Sequence, residues 1–464
     1  MMLLSQAAQL LNGRLAGKDV CFDAVSTDSR KIKAGDLFIA LCGEHFDGSA
    51  FVAGAMRGGA VAAMVNEGSI KKLSSSLVPE FPILAVEDTR LALGQLAAYW
   101  RKQFDIPLVA ITGSNGKTTV KEMLASILRV AAGSAGAVLA TKGNFNNDIG
   151  MPITLLQLNA AHRYAVIEIG MNHFGEIDYL ARIAAPDVAL INNASGAHLE
   201  GLGSVAAVAQ AKGEIFAGLS AHGTAVINGD DAYAPMWRTL AGAHSLLEFG
   251  LNQQADVSGK WQPQETGLRL DVQTPSGSFS AELHVPGEHN ARNALAATAA
   301  AVAMNVPLAA IVAGLESFGG VAGRLQRKTA RLGATLIDDT YNANPASVRA
   351  AINVLVQAGG KRVLVLGDMG ELGDNAATFH TEIGGEARRA GIEKLFALGT
   401  LSDNAVRAFG SGARHFERIE DLQKALEDEL DADTTVLVKG SRFMKMERVV
   451  EFCASTRETQ CCSH

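Results

Sequence analysis

One segment constrains this chain more than any other. Residues 106–112, Ile-Pro-Leu-Val-Ala-Ile-Thr, read as a buried strand and run into Gly113-Ser114-Asn115-Gly116-Lys117-Thr118-Thr119. A helix is predicted to follow over 120–130. A glycine-rich loop between strand and helix turns backbone N–H groups and the positive helix end towards one point, which suits phosphate. Gly113 and Gly116 permit the tight turn. Lys117 would reach the β- and γ-phosphates, and the Thr118 hydroxyl would take Mg²⁺. The loop departs from the general pattern G-x-x-x-x-G-K-[ST], because Ile111 stands where the first glycine belongs. The competing reading is a plain glycine-rich turn. Against it, strand, Gly-x-x-Gly-Lys-Thr and helix coincide as phosphate binding requires.

Elsewhere, short β-branched runs alternate with longer Ala/Leu-rich segments, the mark of βαβ units and parallel sheets. A chain of 464 residues suggests two to four units if a domain takes about 100–200 residues. Three blocks emerge. The first, 1–86, has strands at 36–41, 62–65 and 83–86 and a helix at 49–57. It opens with an amphipathic helix carrying Leu3, Leu4, Ala7, Ala8, Leu10 and Leu11. The second, 87–322, starts with a helix at 89–104, carries the phosphate loop, and has further strands at 163–169, 187–192 and 224–228. Residues 254–285 alternate in character around Pro275-Ser276-Gly277, which predicts an antiparallel excursion. A helix over 289–304 follows. The third block, 323–464, has strands at 334–338, 362–366, 394–398 and 435–438 in a second doubly wound sheet. The glycine-rich stretch 314–323 reads as a hinge. The fold class is α/β in three domains: a small N-terminal domain, a central P-loop ATPase-like parallel sheet with an antiparallel excursion, and a Rossmann-like C-terminal domain.

Composition excludes several classes. Hydrophobic residues make up 48% of the chain, enough for a large core and against wholesale disorder. Lys plus Arg is 41 and Asp plus Glu 48, for a net charge of −7, which argues against a nucleic-acid partner held by a general basic field. The five cysteines are odd in number and lack a C-x-x-C pair, so a reducing cytoplasm fits better than a disulfide framework or zinc ribbon. Cys461 and Cys462 read as an exposed tail. The longest apolar stretch, 294–304, falls short of the roughly 20 residues that span a bilayer. No basic n-region precedes the first helix, so neither export nor membrane insertion is expected.

Other polar residues fall at places where ligands bind. Glu168 lies near the carboxyl end of strand 163–169, where doubly wound sheets hold their ligands, and it suits a nucleotide-bound metal. Asn192, Asn193 and His198 follow the next strand on the same rim. Histidine beside a carboxylate can ligate Mg²⁺ or Mn²⁺, although oxygen ligands are commoner, and spacing alone favours an ordinary loop histidine. Lys212 lies on a predicted helix, 205–219, and reads as a solvated surface lysine. The stretches 337–345 and 287–293 are unusually polar. Turns with N-caps explain them, as do Asn amides at a base edge with Asp339 at a ribose or phosphate-side contact. Composition leaves both readings open. The pattern Gly201-Leu202-Gly203-Ser204-Val205-Ala206 matches a dinucleotide motif but follows His198-Leu199-Glu200 rather than a strand, so its context rejects it.

Taken together, these residues resemble the Mur ligases, over nearly the whole chain. The first block contributes Ser26-Thr27-Asp28-Ser29-Arg30, residues 35–41 and Phe46-Asp47-Gly48. The second contributes Thr112 to Thr118, which accounts for the missing first glycine. It adds Gly143-Asn144-Phe145-Asn146-Asn147-Asp148-Ile149-Gly150, Glu168-Ile169-Gly170-Met171-Asn172, His198-Leu199-Glu200-Gly201 and residues 211–216. In the third, Asp339-Thr340-Tyr341-Asn342-Ala343-Asn344-Pro345, residues 366–373 and Val438-Lys439-Gly440-Ser441-Arg442 carry the likeness, and of these residues 341–345 and 367–373 are similar to the branch that adds D-alanyl-D-alanine.

The resemblance implies an ATP-dependent, ADP-forming amide ligase of cytoplasmic peptidoglycan precursor synthesis. Its substrates would be UDP-MurNAc-tripeptide and D-alanyl-D-alanine, joined through an acyl phosphate. It implies that Gly113, Ser114, Asn115, Gly116, Lys117, Thr118 and Thr119 hold the phosphates and that Thr118 and Glu168 bind one Mg²⁺. His198 and Lys212, the latter carbamylated, would serve a second Mg²⁺, which reverses the surface reading of Lys212. Asn290 and Asn293 would flank adenine, and Arg324 and Asp339 would reach the nucleotide on domain closure. Ser29, Arg30, Asn144, Asn147, Tyr341, Asn342 and Asn344 are candidates for the peptide substrates, with the uridine diphosphate end in the first block. A monomer is expected, without nucleic acid or membrane partners. A folylpolyglutamate synthetase-like ligase shares the loop but leaves the first 86 residues unexplained. The Mur ligase adding the third residue would carry Asp-Asn-Pro-Arg, which is absent. A P-loop regulatory or motor NTPase would release phosphate without an amine acceptor.

Overall fold

The computed structural model describes residues 1–43, 46–73, 81–196, 199–252, 254–265 and 267–454. His198 and the Cys461-Cys462 pair lie outside them. The described chain forms three α/β units, each built on its own sheet.

The first sheet has five strands in the order Arg14–Ala16, Ile83–Val86, Ala62–Asn66, Asp36–Ile39 and Ala24–Ser26. All neighbours are parallel except the first pair. The opening helix, Leu4–Leu10, buries Leu4, Ala7 and Ala8. Leu3 does not join it. It pairs as a strand with Cys21 and is exposed. The predicted helix at 49–57 begins as a 3₁₀ turn, Gly48–Phe51, before the α-helix Val52–Arg57.

The central sheet has nine strands in the order Val138–Ala140, Tyr164–Glu168, Leu108–Thr112, Val188–Ile191, Thr224–Asn228, Ser245–Gly250, Val257–Gln264, Gly267–Thr274 and Gly277–Leu283. The first seven are parallel and the last two antiparallel, so the excursion lies where alternation places it. Side chains alternate across a strand, and both faces here are buried. Val109 and Ile111 face one core with helices Lys117–Ala132 and Glu288–Ala303. Leu108 and Ala110 face another, which runs without a break through helix Thr89–Arg101 to Leu4, Leu37 and Leu84 of the first unit. That helix stops three residues short of the predicted 104. The Arg101 guanidinium takes over there, donating to the carbonyls of Phe104 at 2.6 Å, Ile106 at 3.1 Å and Ala184 at 3.2 Å.

The third sheet has six strands in the order Gln326–Thr329, Thr335–Asp339, Thr434–Lys439, Lys361–Gly367, Lys394–Leu398 and Ala413–Phe416, parallel after the first pair. Leu364 and Leu366 face one core, Val363 and Val365 the other, as a doubly wound sheet requires. The stretch 314–323, expected as a hinge, is helical at its start. Gly314 lies inside helix Leu308–Glu316, and a Cβ there would stand 2.3 Å from the Ile127 Cα. Gly314 therefore serves close helix packing, and the segment without regular structure begins at 317. No helix of the described residues is long and apolar enough to cross a membrane.

Candidate active site

The central and C-terminal sheets turn the carboxyl ends of their parallel strands towards one cleft. Strand Leu108–Thr112 delivers the loop Gly113–Gly116 and helix Lys117–Ala132 starts directly behind it. Gly116 is left-handed at φ 78°, and a Cβ on it would meet Asn293 Oδ1 at 2.4 Å and Asn192 Nδ2 at 2.5 Å. Only glycine fits both the turn and the crowding.

Side chains of the next strand end hold the loop in place. Ser114 N–H donates to the Asn193 carbonyl and Asn115 N–H to Asn193 Oδ1, both at 2.9 Å. Asn192 Nδ2 donates to the Asn115 carbonyl at 2.9 Å and to Asn293 Oδ1 at 3.0 Å. Ser195 N–H donates to Ser114 Oγ, and Asn115 Nδ2 donates to Ser195 Oγ. The loop is thus braced by its own unit.

Lys117 Nζ folds back onto the Gly113 carbonyl at 2.6 Å. Burial lowers its pKa, while Glu168 pulls the other way. Thr118 Oγ1 donates to Glu168 Oε2 at 3.0 Å, and Asn146 Nδ2 donates to Glu168 Oε1 at 2.8 Å. Glu168 is buried, as is Lys212. The surface reading of Lys212 is therefore wrong. Helix Val205–Gly213 exposes Ala206 and Gln210, and Lys212 falls on its buried side with Val208, Ala209 and Ala211. Burial, and then the charge of Lys117, push the Lys212 amine well below the usual lysine range.

Two cavities meet at the loop. The smaller, about 380 Å³, includes Thr119, Asn290, Asn293, Arg324 and Asp339 in its lining. Asn290 Nδ2 donates to the Pro286 carbonyl at 2.8 Å, and Asn293 Nδ2 to Asn290 Oδ1 at 3.3 Å. Asp339 accepts from Lys439 Nζ at 2.5 Å, in a pair where burial works against both charges. The larger cavity, about 1080 Å³, takes in Lys117, Glu168, Asn144, Asn147, Tyr341 and Asn342. Asn115, Gly116 and Arg324 line both. The Arg324 guanidinium lies 4.1 Å from the centre of the Tyr341 ring.

Asn147 Oδ1 accepts from Gly150 N–H at 2.8 Å and so also fixes a helix start. Asn344 Nδ2 donates to Asn115 Oδ1 at 2.8 Å, joining the C-terminal unit to the loop. Ser29 and Arg30 line neither cavity. Arg30 pairs with Asp28 at 2.8 Å, and that contact holds the Asp28 carboxyl down to about 2.

Sequence reasoning missed Asn146, Ser195, Lys439 as the partner of Asp339, and the Arg90–Asp148 ion pair on the cleft wall. Asn146 and Asp148 fall within the quoted stretch 143–150, and Lys439 within 438–442. The signal was there, without a role attached.

Comparisons with known proteins fit this geometry. The model of the Mur ligase middle domain matches residues 111–301, that of the Mur ligase glutamate ligase domain 323–442, and that of the Mur ligase family catalytic domain 22–101. The UDP-N-acetylmuramoyl-tripeptide–D-alanyl-D-alanine ligase of Escherichia coli K12 is 43% identical over 452 residues, covering 96% of this chain and 97% of its own.

The chain belongs to the Mur ligase family, in its MurF branch.

Solved Mur ligases of that branch share the architecture. A crystal structure of MurF from Acinetobacter baumannii superposes with a TM-score of 0.88 at 37% identity, covering 96% of this chain and 97% of that one. MurF of Thermotoga maritima in complex with ADP gives 0.79 at 27% identity, covering 92% and 96%.

Proposed function

We propose that this chain joins D-alanyl-D-alanine to UDP-MurNAc-tripeptide at the expense of ATP, forming ADP and phosphate. One observation carries the reading most directly. The phosphate loop and Arg324 border both cavities, so a nucleotide in the smaller one points its terminal phosphate into the larger.

The tripeptide's terminal carboxylate attacks the γ-phosphate and becomes an acyl phosphate. The dipeptide amine then attacks the acyl carbon, and phosphate leaves. A carboxylate is a poor acylating group until phosphorylated, so positioning and charge neutralisation do most of the catalysis. Lys117 and the N–H groups at the start of helix Lys117–Ala132 steady the transferring phosphoryl group, with Arg324 adding charge from the C-terminal side. Asn290 and Asn293 face the base, and Asp339 the ribose or phosphate side. Asn144, Asn147, Tyr341, Asn342 and Asn344 serve the peptide substrates, and Ser29 and Arg30 belong to the nucleotide-sugar end.

Thr118 and Glu168 offer a hydroxyl and a buried carboxylate 3.0 Å apart, an oxygen set that suits Mg²⁺. Mg²⁺ would neutralise phosphate charge there. Lys212 fits carbamylation, because its buried amine is held towards the neutral, CO₂-reactive form. As a carbamate it would become an anion fit for a second Mg²⁺, for which the family likeness offers His198 as a further ligand. The cleft is built within one chain, which suits a monomer, and the substrates are cytoplasmic metabolites.

The test is phosphate release with ATP, Mg²⁺, UDP-MurNAc-tripeptide and D-alanyl-D-alanine, each omitted in turn. Full release requires all of them. Release that persists unchanged without both organic substrates overturns the ligase reading in favour of a simple NTPase.

A further inference from the structure

The C-terminal wall of the larger cleft carries a carboxylate that the mechanism above does not use. Strand Lys361–Gly367 ends at the cleft, and the chain turns through Asp368, Met369 and Gly370 to Glu371. That turn is held from several directions. The Asp368 carboxylate accepts Ser402 N–H at 2.7 Å and Leu401 N–H at 3.2 Å. Met369 N–H donates to Nε2 of His380 at 3.0 Å. His380 is fully buried, and since Nε2 accepts, its Nδ1–H donates to the Ala376 carbonyl at 2.7 Å. Gly370 N–H donates to Ser441 Oγ at 2.8 Å, and that hydroxyl donates to the Ala343 carbonyl at 3.1 Å.

This scaffold ends in a glutamate with left-handed backbone, φ 60°, a conformation that a residue with a β-carbon adopts at a cost. Such outliers persist where surrounding structure over-determines them, and they cluster at functional sites. Glu371 shares the cleft with Lys117, Tyr341 and Arg442, and its charge acts on Lys117. It therefore stands on the C-terminal wall, within electrostatic reach of the place where the acyl phosphate forms.

The reaction needs a group of this kind. Near neutral pH the dipeptide's amino end is an ammonium, which has no lone pair and cannot attack. We propose that Glu371 is a catalytic carboxylate that binds the ammonium of the incoming dipeptide and takes one proton from it. The step rests on the ligase reading above and balances simply. The ammonium gives one proton to Glu371, and the freed lone pair forms the N–C bond to the acyl carbon. The C–O bond to phosphate breaks, and a second N–H proton leaves with the phosphate as hydrogen phosphate. Protonated Glu371 then returns its proton to solvent.

Hydroxylamine separates the two half-reactions, since it is largely unprotonated near neutral pH and traps an acyl phosphate without a base. In Glu371→Gln, with ATP, Mg²⁺ and UDP-MurNAc-tripeptide, hydroxamate formation should stay within about twofold of wild type. Amide formation with D-alanyl-D-alanine should fall about 100-fold, the scale of general-base catalysis. Equal losses in both assays would assign Glu371 to the nucleotide half-reaction and overturn the proposal, as would an unchanged amide rate. Glu371→Gly removes the backbone strain and should melt no lower than wild type while losing amide formation to the same degree. Retained amide formation in that variant also overturns the proposal. Failure of the ligase reading itself looks different, because wild type would then give no hydroxamate.

Discussion

The two sheets that face each other across the cleft prepare their ligand groups in different ways. The central sheet holds its loop complete. Asn192, Asn193 and Ser195 come from the neighbouring strand end and satisfy it by hydrogen bonds within one unit. The C-terminal sheet keeps its charged groups occupied with one another. Asp339 is buried against Lys439, and Arg324 rests on Tyr341. Asn344 alone of the sequence-predicted C-terminal residues hydrogen-bonds the loop among the described residues. One unit offers a braced loop whose Lys117 amine rests on a backbone carbonyl. The other offers groups that a ligand must draw out of internal pairings, so a substitution should act on turnover in the first and on stability as well in the second.

Lys117→Ala strains this contrast most. It should cost about 1000-fold in turnover with little change in melting temperature, measured by phosphate release and thermal unfolding. Turnover near wild type would break the view that the braced loop carries the phosphate chemistry. Lys439→Met should act through the fold, because it leaves the Asp339 carboxylate buried without its partner. A loss of about 3 kcal/mol of stability is expected, read by denaturant unfolding. An unchanged unfolding midpoint would show that the C-terminal pairing carries no structural load.

Lys212→Ala should reduce turnover about 100-fold, with partial recovery in a short carboxylate such as acetate. Full activity without any additive would rule out the carbamate. The smallest effect concerns His289, where the smaller cavity meets the C-terminal unit. Burial first, then Lys439 and Arg292, lower its pKa from 6.5 to about 4. The unfolded chain thus binds the proton more tightly. The stability that neutral His289 provides is complete above about pH 6.5 and is lost as pH falls through about 4, the loss reaching roughly 2 kcal/mol by about pH 5. Comparing wild type with His289→Gln between pH 7 and 4 should show the shallower fall in the variant. Parallel curves would remove His289 from the account.

What was legible in the chain followed contiguity and period. The loop was readable because strand, glycines, lysine and helix are consecutive. The antiparallel excursion was readable because its strands alternate. The edge strands Arg14–Ala16, Ala24–Ser26, Gln326–Thr329 and Ala413–Phe416 were not. Three or four residues, half exposed, carry too little alternation to stand out. Lys212 was misread from its own chemistry, since the alanine-rich helix around it gives no periodic sign of which face is buried. Asn146 and Ser195 are loop residues with no period at all. Their roles depend on which strand ends lie side by side, and sheet order decides that.

The Asn344 amide has its two ends committed to different tasks. Its oxygen accepts Ser347 N–H at 2.9 Å and caps the helix Pro345–Val356, while its nitrogen reaches Asn115 across the cleft. An aspartate of the same shape would keep the first contact and forfeit the second. The Ser347 amide is therefore a built-in spectroscopic reporter in the C-terminal unit. Any ligand that displaces Asn115 should pass its signal through one side chain to that amide, even where no atom of the helix touches the ligand.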